Sequence, residues 1–183
     1  MKPHVAFLSS PGMGHITPIL ELAERLALHH GFKVTFLSIP DMPDLTRLCT
    51  TVRHSLKSLR STLLQLGLPK ALVIDIFVTE AFDVCKDLSI PVYSFFTAST
   101  ALLAFSLYLP KLDDEVEGEF VNLPEPVRVP GCKLICTEDL LEQGRNRKID
   151  DYKCTCSTPA DYPWPKEYSS TLGMTLNLTG FAP

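Results

Sequence analysis

Short unbroken apolar runs alternate along this chain with longer stretches in which apolar residues recur every three or four positions. Val5, Ala6, Phe7 and Leu8 form the first run, the pattern of a strand buried on both faces of a parallel sheet. Ile16, Ile19, Leu20, Leu22, Ala23, Leu26 and Ala27 then fall on one helical face, with Glu21, Glu24 and Arg25 opposite. Thr17 is the expected cap of that helix, Pro18 its first turn and Gly31 its C′ residue. A second strand is expected over 34–37, followed by the turn Ile39-Pro40-Asp41-Met42-Pro43. Leu45, Leu48, Val52, Leu56, Leu59, Leu63 and Leu66 give the strongest helical period, closed by Gly67 and Pro69. Beyond it the pattern predicts a strand over 71–77 that is apolar except for Asp75, and a short helix over 79–88. A strand over 92–96 and a helix over 97–108 follow, the last capped by Thr97 and stopped by Pro110.

Strands alternating with helices predict an α/β fold with a doubly wound, Rossmann-like parallel sheet, because right-handed crossovers return each strand in the same direction. The commonest order sets strand 71–77 beside the first strand, on the side away from strand 34–37. That arrangement is the topological switch point, where open α/β sheets bind ligands. It brings Asp75 next to the turn Ser9-Ser10-Pro11-Gly12-Met13-Gly14-His15 that follows the first strand. A carboxylate within reach of an imidazole fixes its tautomer and stabilises its charged form, which suits a general base. The alternative is an Asp75 satisfied by backbone N–H groups at a strand end. Gly12 and Gly14 are expected to allow positive φ and close approach of a ligand, and the helix start offers unpaired donors to a phosphate or polar oxygen.

Composition narrows the reading. With 183 residues and 45% hydrophobic content, the chain can bury a core of its own. A net charge of −4 gives no basic footprint for nucleic acid. The opening apolar run is too short for a secretory h-region and the stretch 98–109 too short for a membrane span, so a cytoplasmic location is expected, with six reduced cysteines. Cys132, Cys136, Cys154 and Cys156 are spaced C-x₃-C and C-x-C, not as paired C-x₂-C, so no metal site is expected. His4, His29, His30 and His54 are read as structural, and the sequon at Asn177 as without meaning in a cytoplasmic chain. The pair Gly12 and Gly14 after a strand also suits a dinucleotide-binding oxidoreductase. Thr17 in place of the third glycine, and strand 34–37 without a closing acid, count against it.

Several stretches together resemble the plant UDP-sugar-dependent glycosyltransferases that glucosylate small phenols. They are PHVAFLSSPGMGHITPILELAERL, KALVIDIFVTEAFDV, IPVYSFFTASTALLAFSLYLPKLDDEV and VNLPEPVRVPGC, with a weaker echo in RKIDDYK at 147–153. The branch acting on simple phenols and monolignols is the most similar. The resemblance implies the N-terminal, acceptor-binding half of a GT-B fold. It implies that His15 is the catalytic base and Asp75 its orienting acid, and that Gly14, His15 and Thr97 contact substrate. It also implies a UDP-sugar as co-substrate with no further cofactor and no metal.

Two departures accompany the resemblance. Between Ser38 and the helix starting near Asp44 the family carries a longer segment with another strand, so an internal piece is expected to be missing. Nothing here is similar to the family's C-terminal domain with its H-C-G-W-N-S run. Residues 1–153 are therefore expected to form a partial acceptor-binding domain, and residues 154–183 an atypical, disordered tail in which Pro159, Pro163 and Pro165 interrupt regular structure. On this reading a small phenolic acceptor is the partner, UDP-glucose binds only when a C-terminal domain is supplied, and the chain by itself is inactive. The alternative is a non-catalytic binder of small phenolics.

Overall fold

The computed structural model describes residues 1–39, 45–130, 132–140, 144–150 and 152–153. Four strands, β1 (His4–Ser9), β2 (Lys33–Ser38), β3 (Ala71–Asp75) and β4 (Val92–Phe95), make one sheet in the order β2-β1-β3-β4, every neighbouring pair parallel. Helices α1 (Met13–His29), α2 (Leu45–Gln65), α3 (Ala81–Asp87) and α4 (Thr100–Glu115) connect and extend it. The doubly wound sheet expected from the pattern is therefore present, with β3 beside β1 and opposite β2.

Alternation along β1 explains the two layers. Val5 and Phe7 face Ile19 and Ala23 of α1, while Ala6 and Leu8 face Leu56, Leu59 and Leu63 of α2 and Ala81 and Cys85 of α3. A central strand covered on both sides has no polar face to show, which is why its sequence reads as a continuous apolar run. Burying a side chain such as Phe7 completely contributes roughly 2 kcal/mol. A further cluster builds on α4, where Ala104, Phe105, Leu109 and Leu112 pack with Phe120, Val127, Val129, Leu140 and Tyr152. Val127 and Ile135 there form an antiparallel bridge.

Element boundaries depart most from the pattern at three places. Helix α1 starts at Met13, not near Thr17. Gly12, with φ 101°, turns the chain sharply, and its carbonyl accepts from the amides of His15 and Ile16 at 3.0 and 2.9 Å. Thr17 and Pro18 thus lie inside the helix, and Pro18 gives up the bond that residue 18 would make to the Gly14 carbonyl. Strand β3 stops at Asp75 because the Asp75 carboxylate accepts from the Phe77 amide and opens a short 3-10 turn, Ile76–Val78. Helix α4 begins at Thr100, capped by Ser99 rather than Thr97, and continues through Pro110 to Glu115. Leu109 and Leu112, buried on either side of Pro110, hold it together there.

The end of α4 is tied by Arg147. Its guanidinium donates to the backbone carbonyls of Asp113, Val116 and Gly118 and to the Asp113 carboxylate, while its own amide donates to Glu119. The guanidinium also lies over the Phe120 ring, 4.8 Å from its centre, and Tyr152 donates to Asp113. Arg147 and Tyr152 of the RKIDDYK echo accordingly form a clamp that closes the α4 cluster. No described helix is long and apolar enough to cross a membrane. The turn around Pro40, the thiols of Cys154 and Cys156, and the whole tail 154–183 lie outside the described residues.

Candidate active site

The carboxyl ends of β1 and β3 meet at the site. β1 delivers Ser9 and Ser10, both fully buried, and the Gly12 turn then places His15 at the third position of α1. β3 ends on Asp75, which is 0% exposed. The register that pairs Leu8 with Ile74 sets these ends side by side.

Three described donors converge on Asp75. His15 Nδ1 lies 2.7 Å from Oδ2, while Ser10 Oγ at 2.6 Å and the Phe77 amide at 3.0 Å both donate to Oδ1. An ionised carboxylate only accepts, so the imidazole contact requires the proton on Nδ1 and leaves Nε2 as the acceptor. The His15 side chain is 30% exposed, and the Phe77 ring stands edge-on to it with centres 5.3 Å apart. The histidine therefore has one nitrogen locked to a buried carboxylate and enough exposure for a ligand to reach the ring. Its pKa is raised above the ordinary histidine value, first by the hydrogen bond to Asp75 and further by the charge of that group, against the opposing pull of burial.

Gly14 is the second residue of α1 and is exposed, but its φ is not positive; of the two glycines in the turn only Gly12 takes that conformation. A Cβ at Gly14 would meet nothing within 4 Å, so the glycine leaves open space beside the first-turn amides rather than relieving strain. Thr97 is half-buried in the connection from β4 to α4, and among the described residues no hydrogen bond joins it to His15 or Asp75. The sequence reading missed Ser10 and Phe77 as members of the site. The available signal for Ser10 was a polar residue at the very end of an otherwise apolar buried strand. For Phe77 it was the position two residues after the strand-ending aspartate.

No protein-family model matches the chain. Among curated proteins it is 36% identical to the hydroquinone glucosyltransferase of Rauvolfia serpentina, over 83% of this chain and 40% of that protein. It is 38% identical to UDP-glycosyltransferase 72B1 of Arabidopsis thaliana, over 82% of this chain and 39% of that protein. Among solved structures, a UDP-glucosyltransferase from Polygonum tinctorium capable of glucosylating indoxyl superposes with a TM-score of 0.79 at 32% identity, over 88% of this chain and 45% of that one. Phytolacca americana UGT2, complexed with UDP-2-fluoro-glucose and pterostilbene, gives a TM-score of 0.75 at 27% identity, over 87% of this chain and 46% of that one. The chain thus spans about two fifths of the length of the curated relatives it matches. The alignment with the Rauvolfia serpentina protein runs over 189 positions yet uses only 83% of these 183 residues, so inside the matched region that relative has residues this chain lacks. By its sequence and by its parallel sheet, the chain is a homologue of the plant UDP-glycosyltransferases and carries the fold of their N-terminal GT-B domain.

Proposed function

We propose that this chain is the acceptor side of an inverting glucosyltransferase, with His15 as the general base that activates the hydroxyl of a small phenol. The observation that carries the reading is the 2.7 Å contact between His15 Nδ1 and the buried Asp75 carboxylate, which leaves Nε2 as the free basic nitrogen. Nε2 takes the proton of the acceptor hydroxyl as that oxygen bonds to the anomeric carbon of the sugar. The bond from that carbon to the diphosphate oxygen breaks and UDP leaves, inverting the configuration. Asp75 stabilises the imidazolium formed in that step. Gly14 supplies room and backbone donors at the helix start, and Thr97 is assigned to the sugar.

Hydroquinone is named as a substrate of one relative, and indoxyl of another. Small aromatic hydroxyl compounds are therefore the acceptor class proposed here, and the edge of Phe77 beside the imidazole suits an aromatic ring. UDP-glucose is the proposed donor, a co-substrate rather than a cofactor, bound only when a C-terminal domain is supplied. No metal enters this scheme, and the cytoplasm is the proposed location. Since both reactants must be held in one geometry, the 183-residue chain alone is expected to bind a phenol without turning it over. Titration of the labelled chain with hydroquinone checks this: the His15 and Phe77 signals should move, and in His15→Ala the Phe77 signal should move less. Saturating phenol that leaves both signals unmoved contradicts the proposal.

A further inference from the structure

We propose that Ser10 is a positioning residue for the His15–Asp75 pair: with the Phe77 amide it occupies Asp75 Oδ1 and so fixes the carboxylate plane with Oδ2 toward the imidazole. The inference deepens the reading of His15 as a base and rests on it only for its catalytic meaning, since the geometry can be tested without turnover.

The torsion that turns a carboxylate about its Cβ–Cγ bond is soft. With only the Phe77 amide at 3.0 Å, an interaction two residues away on the same turn, Asp75 could pivot about that contact. Ser10 supplies a second anchor from a different strand, at 2.6 Å and with both residues 0% exposed. A charge-assisted hydrogen bond in such a buried place is among the stronger ones a neutral donor can make. The two anchors meet on one oxygen and His15 on the other, which defines the plane.

The backbone of Ser10 is itself held. Ser9 Oγ donates to the Ser10 carbonyl at 2.8 Å, and Ser9 is paired in the sheet with Ser38. Pro11 follows, and a proline restricts the residue before it to extended conformations. The sequence Ser9-Ser10-Pro11 thus continues the extended line of β1 by one residue and delivers a hydroxyl under the end of β3.

Nitrogen-15 spectra of the imidazole in the full chain test the assignment, since they distinguish a proton on Nδ1 from one on Nε2. In the wild type the neutral ring is expected to hold its proton on Nδ1 alone. Ser10→Ala is expected to admit a share of the Nε2-protonated form. It is also expected to make the drop in His15 pKa that Asp75→Asn causes smaller, as read from the four-protein cycle. Ser10→Thr, which keeps the hydroxyl, restores both. Ser10→Cys keeps the shape with a somewhat larger atom and a weaker donor and gives an intermediate result, so it reads the same effect if the alanine variant does not fold. An unchanged tautomer and an unchanged coupling in the alanine or cysteine variant overturn the positioning role. Loss of both in Ser10→Ala alongside failure to bind hydroquinone in the wild type would leave Ser10 as positioner and remove the acceptor reading instead.

Discussion

At the scale of single residues the site is a problem of charge in a buried place. Asp75 has no exposed surface, and an ionised group so placed needs donors around it. His15, Ser10 and Phe77 provide them. The His15–Asp75 contact raises the histidine pKa in the folded state, so the pairing stabilises the fold fully below the unfolded histidine value, near 6.5, and that contribution is lost as pH rises through the higher folded value. Urea unfolding across this range should show the wild type losing more stability with rising pH than Asp75→Asn does. Equal slopes would mean that the contact is absent in solution. His15 and Asp75 were legible in the sequence because strand order alone brings the ends of β1 and β3 together. Ser10 was not, because whether a strand-end serine turns toward the neighbouring strand depends on the last residue pair of the ladder, which no spacing reveals.

At the scale of elements, existence and type followed from hydrophobic period, and boundaries from local geometry that the period does not carry. The start of α1 shows the difference. Thr17 and Pro18 are ordinary signals for a helix start, but Gly12 at φ 101° turns the chain one helical turn earlier and overrides them. Gly12→Ala should cost roughly 1–3 kcal/mol, since an L side chain rarely adopts that conformation, although its Cβ would meet only His15 Cδ2 at an ordinary 3.8 Å. The measurement is the urea midpoint, together with the His15 signals, which should shift as the turn relaxes. At the far end of the described residues, Arg147 holds three carbonyls and a carboxylate around the end of α4. Arg147→Ala should lower stability by roughly 2–4 kcal/mol, because a largely buried guanidinium and several charged hydrogen bonds are lost together. It should do so without changing the His15 pKa, since the clamp belongs to the α4 cluster and not to the sheet ends. A His15 pKa that moved with Arg147 would show the two regions to be coupled.

At the scale of the molecule, the sheet order β2-β1-β3-β4 puts the site at the centre and leaves β2 and β4 as the edges among the described residues. The fold was legible because both sheet faces are covered, which writes continuous apolar runs for the strands and amphipathic periods for the helices. The expectation of a missing internal piece came only from the resemblance; the alignment with the hydroquinone glucosyltransferase shows extra residues in that relative without placing them. Purified chain mixed with UDP-glucose and hydroquinone is expected to form no glucoside, and steady product abolished by His15→Ala would show that the matched two fifths suffice. The most direct test of the account is an NMR titration of His15 in the wild type and in Asp75→Asn. Pairing across the sheet ends predicts a higher pKa in the wild type, with the value falling in the variant while the fold persists. An equal or higher pKa in folded Asp75→Asn would contradict it.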